Sequence, residues 1–154
     1  MKKVISLAIA VFSLILPAVA QKALQSKNGS PILLTQWMDL QSRLVRHSSG
    51  IPHVAYSRHF CYTAIAAYES TVHAKNEYRS LAGQLTGLDQ LPSPPTNELC
   101  WPASLNAAYA AMLRYFYASF SSCTAAIDSM EQSQEQLQLR LSDKETVKKS
   151  KDYG

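Results

Sequence analysis

Strand signals are nearly absent from this chain, so an all-β or α/β fold is excluded at the outset and the sequence reads as all-α. Glycine is scarce, with five residues in 154. No Gly-rich phosphate loop occurs, no Ser stands in a G-x-S-x-G elbow, and no CxxC or Cys/His spacing suggests zinc. These absences remove nucleotide binding through a P-loop, hydrolase chemistry of the nucleophile-elbow type and zinc-ribbon architecture. Cysteine is limited to Cys61, Cys100 and Cys123, an odd number that permits one bridge with one thiol left over and no complete disulfide framework. The pairing is left open.

The first twenty residues have the pattern of a secretory signal. Lys2 and Lys3 form a basic start, Val4 to Leu16 an apolar run, and Ala18-Val19-Ala20 an A-x-A site before Gln21. The run is short for a membrane-spanning helix, and Pro17 interrupts it before the small residues. The expectation is cleavage near Ala20 and a periplasmic or secreted protein with no membrane attachment after cleavage. No second long apolar run follows. About 134 residues then remain, enough for one modest helical domain, 21–154.

The formal net charge is +4, and two of those charges belong to Lys2 and Lys3. Lys144, Lys148, Lys149 and Lys151 cluster near the C-terminus, which reads as a solvated helix face rather than a nucleic-acid surface.

Helical periodicity organises the mature chain. Ser30 and Pro31 supply an N-cap and a first-turn proline, and Leu33, Trp37, Leu40 and Leu44 recur at helical spacing to about His47. After Ser48-Ser49-Gly50 a second helix covers Tyr56 to Ala74, ending near Lys75 or Asn76, with Phe60, Ala64, Ala67, Tyr68 and Thr71 toward a core. The two are expected to pack antiparallel. From Tyr78 to Pro102 periodicity fails, and Gly83, Gly87, Pro92, Pro94 and Pro95 mark a long connection that covers the bundle. A third helix begins around Trp101 to Ala103 and carries Leu105, Ala108, Tyr109, Met112, Leu113 and Phe116; a fourth follows from about Thr124 through Ile127, Met130, Leu137 and Leu141. The expected architecture is a bundle of about four helices.

Several residues have the chemistry for a site. Glu69 and His73 stand four apart and share a helix face, and His59 returns close to it, an arrangement compatible with mutual hydrogen bonding or a metal. No second E-x-x-H unit completes a two-metal bundle, so these side chains, with Arg58, are expected to satisfy one another or the backbone. Tyr109, Tyr115, Phe116, Tyr117 and Phe120, beside Arg114, form either a ligand wall or core packing; core packing is the expectation.

Taken together, QWMDLQSRLVRHSSGIPHVAYSRHFCYTAIAAYESTVHA, GQLTGLDQLPSPPT and NELCWPASLNAAYAAMLRYFY resemble the N-terminal helical region of bacterial vanadium-dependent haloperoxidases, in the superfamily of type 2 phosphatidic acid phosphatases, over about Gln36 to Phe120. The resemblance implies a helical scaffold whose full-length relatives bind vanadate or phosphate and either oxidise halide with peroxide or cleave a phosphomonoester. Their oxyanion is held by a Lys followed by Arg-Pro, a Pro-Ser-Gly-His segment, and a Ser-Arg followed by a His. None of these motifs is placed here: Ser57-Arg58 matches the start of the third, but Ala64 stands where its His belongs. No catalytic, cofactor-binding or metal-binding residue is therefore assigned, no cofactor is expected on this chain, and activity is not expected from it alone. The resemblance further implies an incomplete domain whose partner is a C-terminal catalytic half, with self-association through an exposed apolar face when that half is missing. A self-sufficient exported helical binding module, docking its partner on the aromatic helix end or the Pro-rich loop, is the alternative.

Overall fold

The computed structural model describes residues 31–96 and 98–154; the signal-like segment and the Ser30 cap lie outside the described residues. Five α-helices follow in order: α1 (Pro31–His47), α2 (His53–Glu69), α3 (Trp101–Tyr117), α4 (Ser121–Gln138) and α5 (Lys144–Tyr153), with a 3-10 turn at Val72–Ala74 after α2. No strand occurs among the described residues. None of the described helices is long and apolar enough to cross a membrane.

The helix α3 is the axis of the bundle. Every residue from Ala103 to Ala110 is buried, as are Leu113 and Tyr117, because α2, α4 and α5 all pack on it and α1 closes the remaining side. Alanines at 103, 107, 108 and 110 make this possible, since a helix surrounded on several sides tolerates only small residues at its closest approaches. Pro102 sits in its first turn, where a missing N–H costs nothing. The main core joins Leu33, Trp37, Leu40 and Leu44 of α1 to Tyr109, Leu113 and Tyr117 of α3 and to Cys123 and Ile127 of α4. Each of the four periodic residues read for α1 is in that core.

The expected antiparallel pairing of α1 with α2 is not the main contact of either helix. α2 packs chiefly on α3, whereas α1 packs on α4 and α3. Polar atoms tie α1 to α2 instead. Gln41 Oε1 lies 3.2 Å from Thr63 Oγ1 and accepts from Tyr109 Oη at 2.6 Å, and Tyr56 Oη donates to the Ser48 carbonyl at 2.9 Å. Gly50, at φ +82°, allows the reversal between the two helices.

The helix α2 differs from its expected extent and face. It starts at His53 and stops at Glu69, because Ser70 Oγ and Thr71 Oγ1 both bond the Ala67 carbonyl and draw the chain out of the helix. Its buried residues are Tyr56, Thr63 and Ala67, while Ala64 and Tyr68 face outward. The alanine run misplaces the face by about a third of a turn, since Ala carries too little hydrophobicity to mark which side is inside.

The count of helices also changes. The fourth ends at Gln138, leaving Leu137 47 % exposed and Leu141 beyond its end, and a separate α5 begins after Asp143. The Asp143 carboxylate accepts from the Thr146 N–H at 2.9 Å as an N-cap, which holds its pKa below the ordinary carboxylate value. Val147 and Ser150 are buried, and Ser150 Oγ accepts the Cys100 N–H at 2.7 Å, so α5 is docked rather than trailing.

Candidate functional site

The end of α2 and the long connection build one site between them. Glu69, the last residue of α2, projects toward the segment after Tyr78 and receives it with both oxygens: Ser80 Oγ donates at 2.7 Å and the Leu81 N–H at 2.6 Å. Ser80 Oγ in turn accepts the Ala82 N–H at 2.9 Å, and Tyr68 Oη donates to the Arg79 carbonyl at 2.8 Å. A turn closes beyond this anchor, with the Gly83 N–H donating to the Leu88 carbonyl at 2.7 Å and Gly83 at φ +73°. The connection is thus a strap fastened at 79–82 by two consecutive α2 side chains.

Two clefts open beneath the strap, sharing Ala66, Glu69, Leu91 and Met112. One, of about 510 Å3, is walled by Tyr62 and Ile65 of α2 and by Leu85, Gly87 and Leu88 of the strap, and is largely apolar. The other, of about 390 Å3, adds His73, Ser80, Ser93 and Tyr153 and is more polar. Small residues on the helices, Ala66, Ala108 and Ala111, supply the space. Tyr153 reaches the site from α5 and packs edge-on to Trp101, with ring centres 6.3 Å apart. Burial raises the Tyr153 pKa above its ordinary value, and the Glu69 charge adds to the rise, so the phenol stays protonated as a donor.

The candidates from the sequence divide between this site and other places. Glu69 and His73 both line the polar cleft, yet the helix break at Ser70 removes the i,i+4 relation expected to place them on one helix face. Arg58 is exposed on α2. His59 lies at the other end of the bundle, stacked on Phe116 with ring centres 4.1 Å apart and planes 9° from parallel, and edge-on to Tyr117 at 5.7 Å. Its Nδ1 is inaccessible and has no partner among the described residues, and burial lowers its pKa below the ordinary 6.5. Among the described residues, no three His, Cys, Asp or Glu side chains gather as metal ligands.

The aromatic helix end is packing, as expected for most of its members. Tyr109 is stacked on Trp37 at 5.5 Å, and Tyr117 is fully buried with its pKa pushed up to about 12 by burial first and by neighbouring Tyr56 and Cys123 second. Tyr115 alone stands out into solvent, 78 % exposed. Arg114 is committed to Asp128, whose Oδ1 accepts from Nε at 2.8 Å, and to Glu131. Lys151 pairs with Glu135 at 2.8 Å and approaches Glu131 at 3.6 Å, whereas Lys149 pairs only with the exposed Glu145 one turn away. The lysine cluster is therefore partly a latch between α5 and α4 rather than wholly a solvated face. Cys61 is exposed, Cys100 and Cys123 are buried, and all three are free thiols.

Sequence reading missed Ser80, Leu81 and Tyr153 as members of the site. Nothing in their local pattern marks them, because each enters through a contact between elements distant along the chain. No family model, curated protein or solved structure matches the chain.

Proposed function

We propose that the chain is the helical scaffold of an exported protein of the vanadium-dependent haloperoxidase type, a halide-oxidising peroxidase in its full-length relatives, and that it has no turnover by itself. The resemblance of the α1, α2, strap and α3 segments motivates the family, and the want of the family's oxyanion-holding motifs in this sequence, with Ala64 where one His belongs, carries the claim of inactivity. Glu69, which shares a cleft with His73, uses one bond from each oxygen to hold the strap, in the manner of a structural anchor. Arg114 is likewise held in ion pairs rather than directed at a cleft. A related acid phosphatase scaffold fits the same features, since the two chemistries differ at an oxyanion centre that none of these residues forms.

The test is turnover by purified residues 21–154 supplied with vanadate, bromide and peroxide, and separately with a phosphomonoester. No activity above buffer is expected in either assay. Vanadate-dependent bromide oxidation or vanadate-sensitive phosphate release would overturn the reading.

A second reading, an exported helical binding module that folds by itself, is favoured by one observation: α3 is enclosed from Ala103 to Ala110 by the other helices of the same chain. A monodisperse, cooperatively melting monomer that does not bind hydrophobic dye supports it. Self-association and dye binding support the scaffold that expects a further partner.

A further inference from the structure

The strapped cleft has a chemical bias that goes beyond the scaffold reading and does not depend on it. Glu69 stands where its apolar and polar halves meet, since it lines both. Its partners, the Ser80 hydroxyl and the Leu81 amide, are neutral donors, and no ion pair among the described residues includes it. A half-buried carboxylate whose bonded partners are neutral dipoles has no ion-pair partner among the described residues, which favours a cation within a few ångströms and disfavours an anion. Each of its oxygens also retains acceptor capacity beyond the one bond it makes.

The surroundings narrow the kind of cation. A divalent metal calls for several oxygen ligands, usually more than one carboxylate, and Glu69 is the only Asp or Glu among the residues lining either cleft. The apolar half offers Tyr62, Ile65, Leu85, Leu88 and Met112, a wall suited to a hydrocarbon body. Tyr62 and Leu85 are 49 % and 40 % exposed, so part of this apolar lining is open to solvent. We propose that the cleft binds a primary alkylammonium compound, with the ammonium against Glu69 and the hydrocarbon chain between Ile65, Met112 and the strap residues Leu85 and Leu88. Ser93 and Tyr153 on the polar side add oxygen acceptors for the remaining ammonium hydrogens.

The experiment titrates the full mature chain with n-hexylammonium, n-hexanol and n-hexanoate, following the Leu81 amide and the Ile65 and Met112 methyl signals by NMR. Saturable shifts are expected with hexylammonium, binding weaker by about tenfold or more with hexanol, and none with hexanoate. Glu69→Gln is expected to erase the preference for the amine over the alcohol. Leu88→Trp, which fills the apolar half and leaves the anchor in place, separates ligand recognition from loosening of the strap and is expected to abolish binding with the Leu81 amide still protected. Equal affinity for amine and alcohol, no saturable binding of the amine, or amine binding undiminished in Leu88→Trp would each overturn the proposal.

Discussion

The indole Nε1–H of Trp37 in α1 donates to Oδ1 of Asn106 in α3 at 3.0 Å, in a part of the core where Trp37 is wholly buried. Asn106 completes the link by donating from Nδ2 to the Glu131 carbonyl of α4, also at 3.0 Å. One amide side chain therefore fixes the relative positions of three helices that are otherwise joined by non-directional packing. Replacing Asn106 with Leu keeps the branched shape and the number of side-chain heavy atoms but strands the indole N–H and the Glu131 carbonyl away from water. A loss of about 2–4 kcal/mol is expected from two orphaned groups at the usual penalty for each, measured as a lower urea midpoint with the slope unchanged.

Packing around the axis sets a second expectation. Leu113 is fully buried between α1, α2 and α4, and Leu137 is nearly half exposed on α4. Leu113→Ala should cost about 2–5 kcal/mol, the range for deleting a core leucine and leaving part of the cavity open. Leu137→Ala should cost no more than about 0.5 kcal/mol. Chemical denaturation of the two variants side by side checks the ranking, which the equal helical spacing of both leucines in the sequence does not predict.

His59 gives the fold a pH dependence whose sign follows from its depressed pKa. The unfolded chain protonates this imidazole near 6.5, whereas the stacked, desolvated ring in the native state resists protonation until lower pH. Its contribution is therefore fully present above about 6.5, declines as the pH falls from there toward the native-state pKa, and is absent below it. His59→Phe keeps the stack on Phe116 and should flatten the stability profile between neutral pH and pH 5, measured by urea titration at each pH. An unchanged slope in the variant contradicts this account.

The ion pairs differ sharply in expected worth. Glu131 has a side chain only 9 % exposed and is neutralised by Arg114 and Lys151, so Arg114→Met leaves a buried carboxylate with one distant partner. A loss of about 1–3 kcal/mol is expected, below the full cost of an isolated buried pair because Lys151 remains and Arg114 is 38 % exposed. Lys149→Ala removes an exposed helix pair and should leave the melting temperature unchanged within error. Thermal unfolding of both variants at low and moderate salt measures the contrast.

Much of the architecture was legible where large apolar residues mark one face. Leu33, Trp37, Leu40 and Leu44 announced α1, and the apolar face of Leu105, Ala108, Tyr109, Met112, Leu113 and Phe116 announced α3. Legibility failed where the deciding residues are small or polar. The end of α2 is set by Ser70 and Thr71 turning back on Ala67, a competition between side chain and backbone with no Gly or Pro to announce it. The same break dissolved the Glu69–His73 pair on which a metal reading rested. The start of α5 was written in Ser142-Asp143, but its ten residues carry a single buried aliphatic, Val147, too little to show a period. Glu69 was expected to bond neighbouring side chains or backbone, and its actual partners were hidden because Ser80 and Leu81 sit in a segment without periodicity.

The anchoring of the strap by Glu69 links the reading of this chain as a scaffold to the existence of the cleft, and amide hydrogen exchange at Leu81 tests it most directly. The 2.6 Å bond to a carboxylate predicts a protected Leu81 amide in the wild type, and exchange faster by about 10- to 100-fold in Glu69→Ala, the equivalent of a charge-assisted hydrogen bond of roughly 1.5–3 kcal/mol. Core amides such as that of Leu113 should be unaffected. A Leu81 amide that exchanges freely in the wild type, or at the same rate in the variant, would contradict the account.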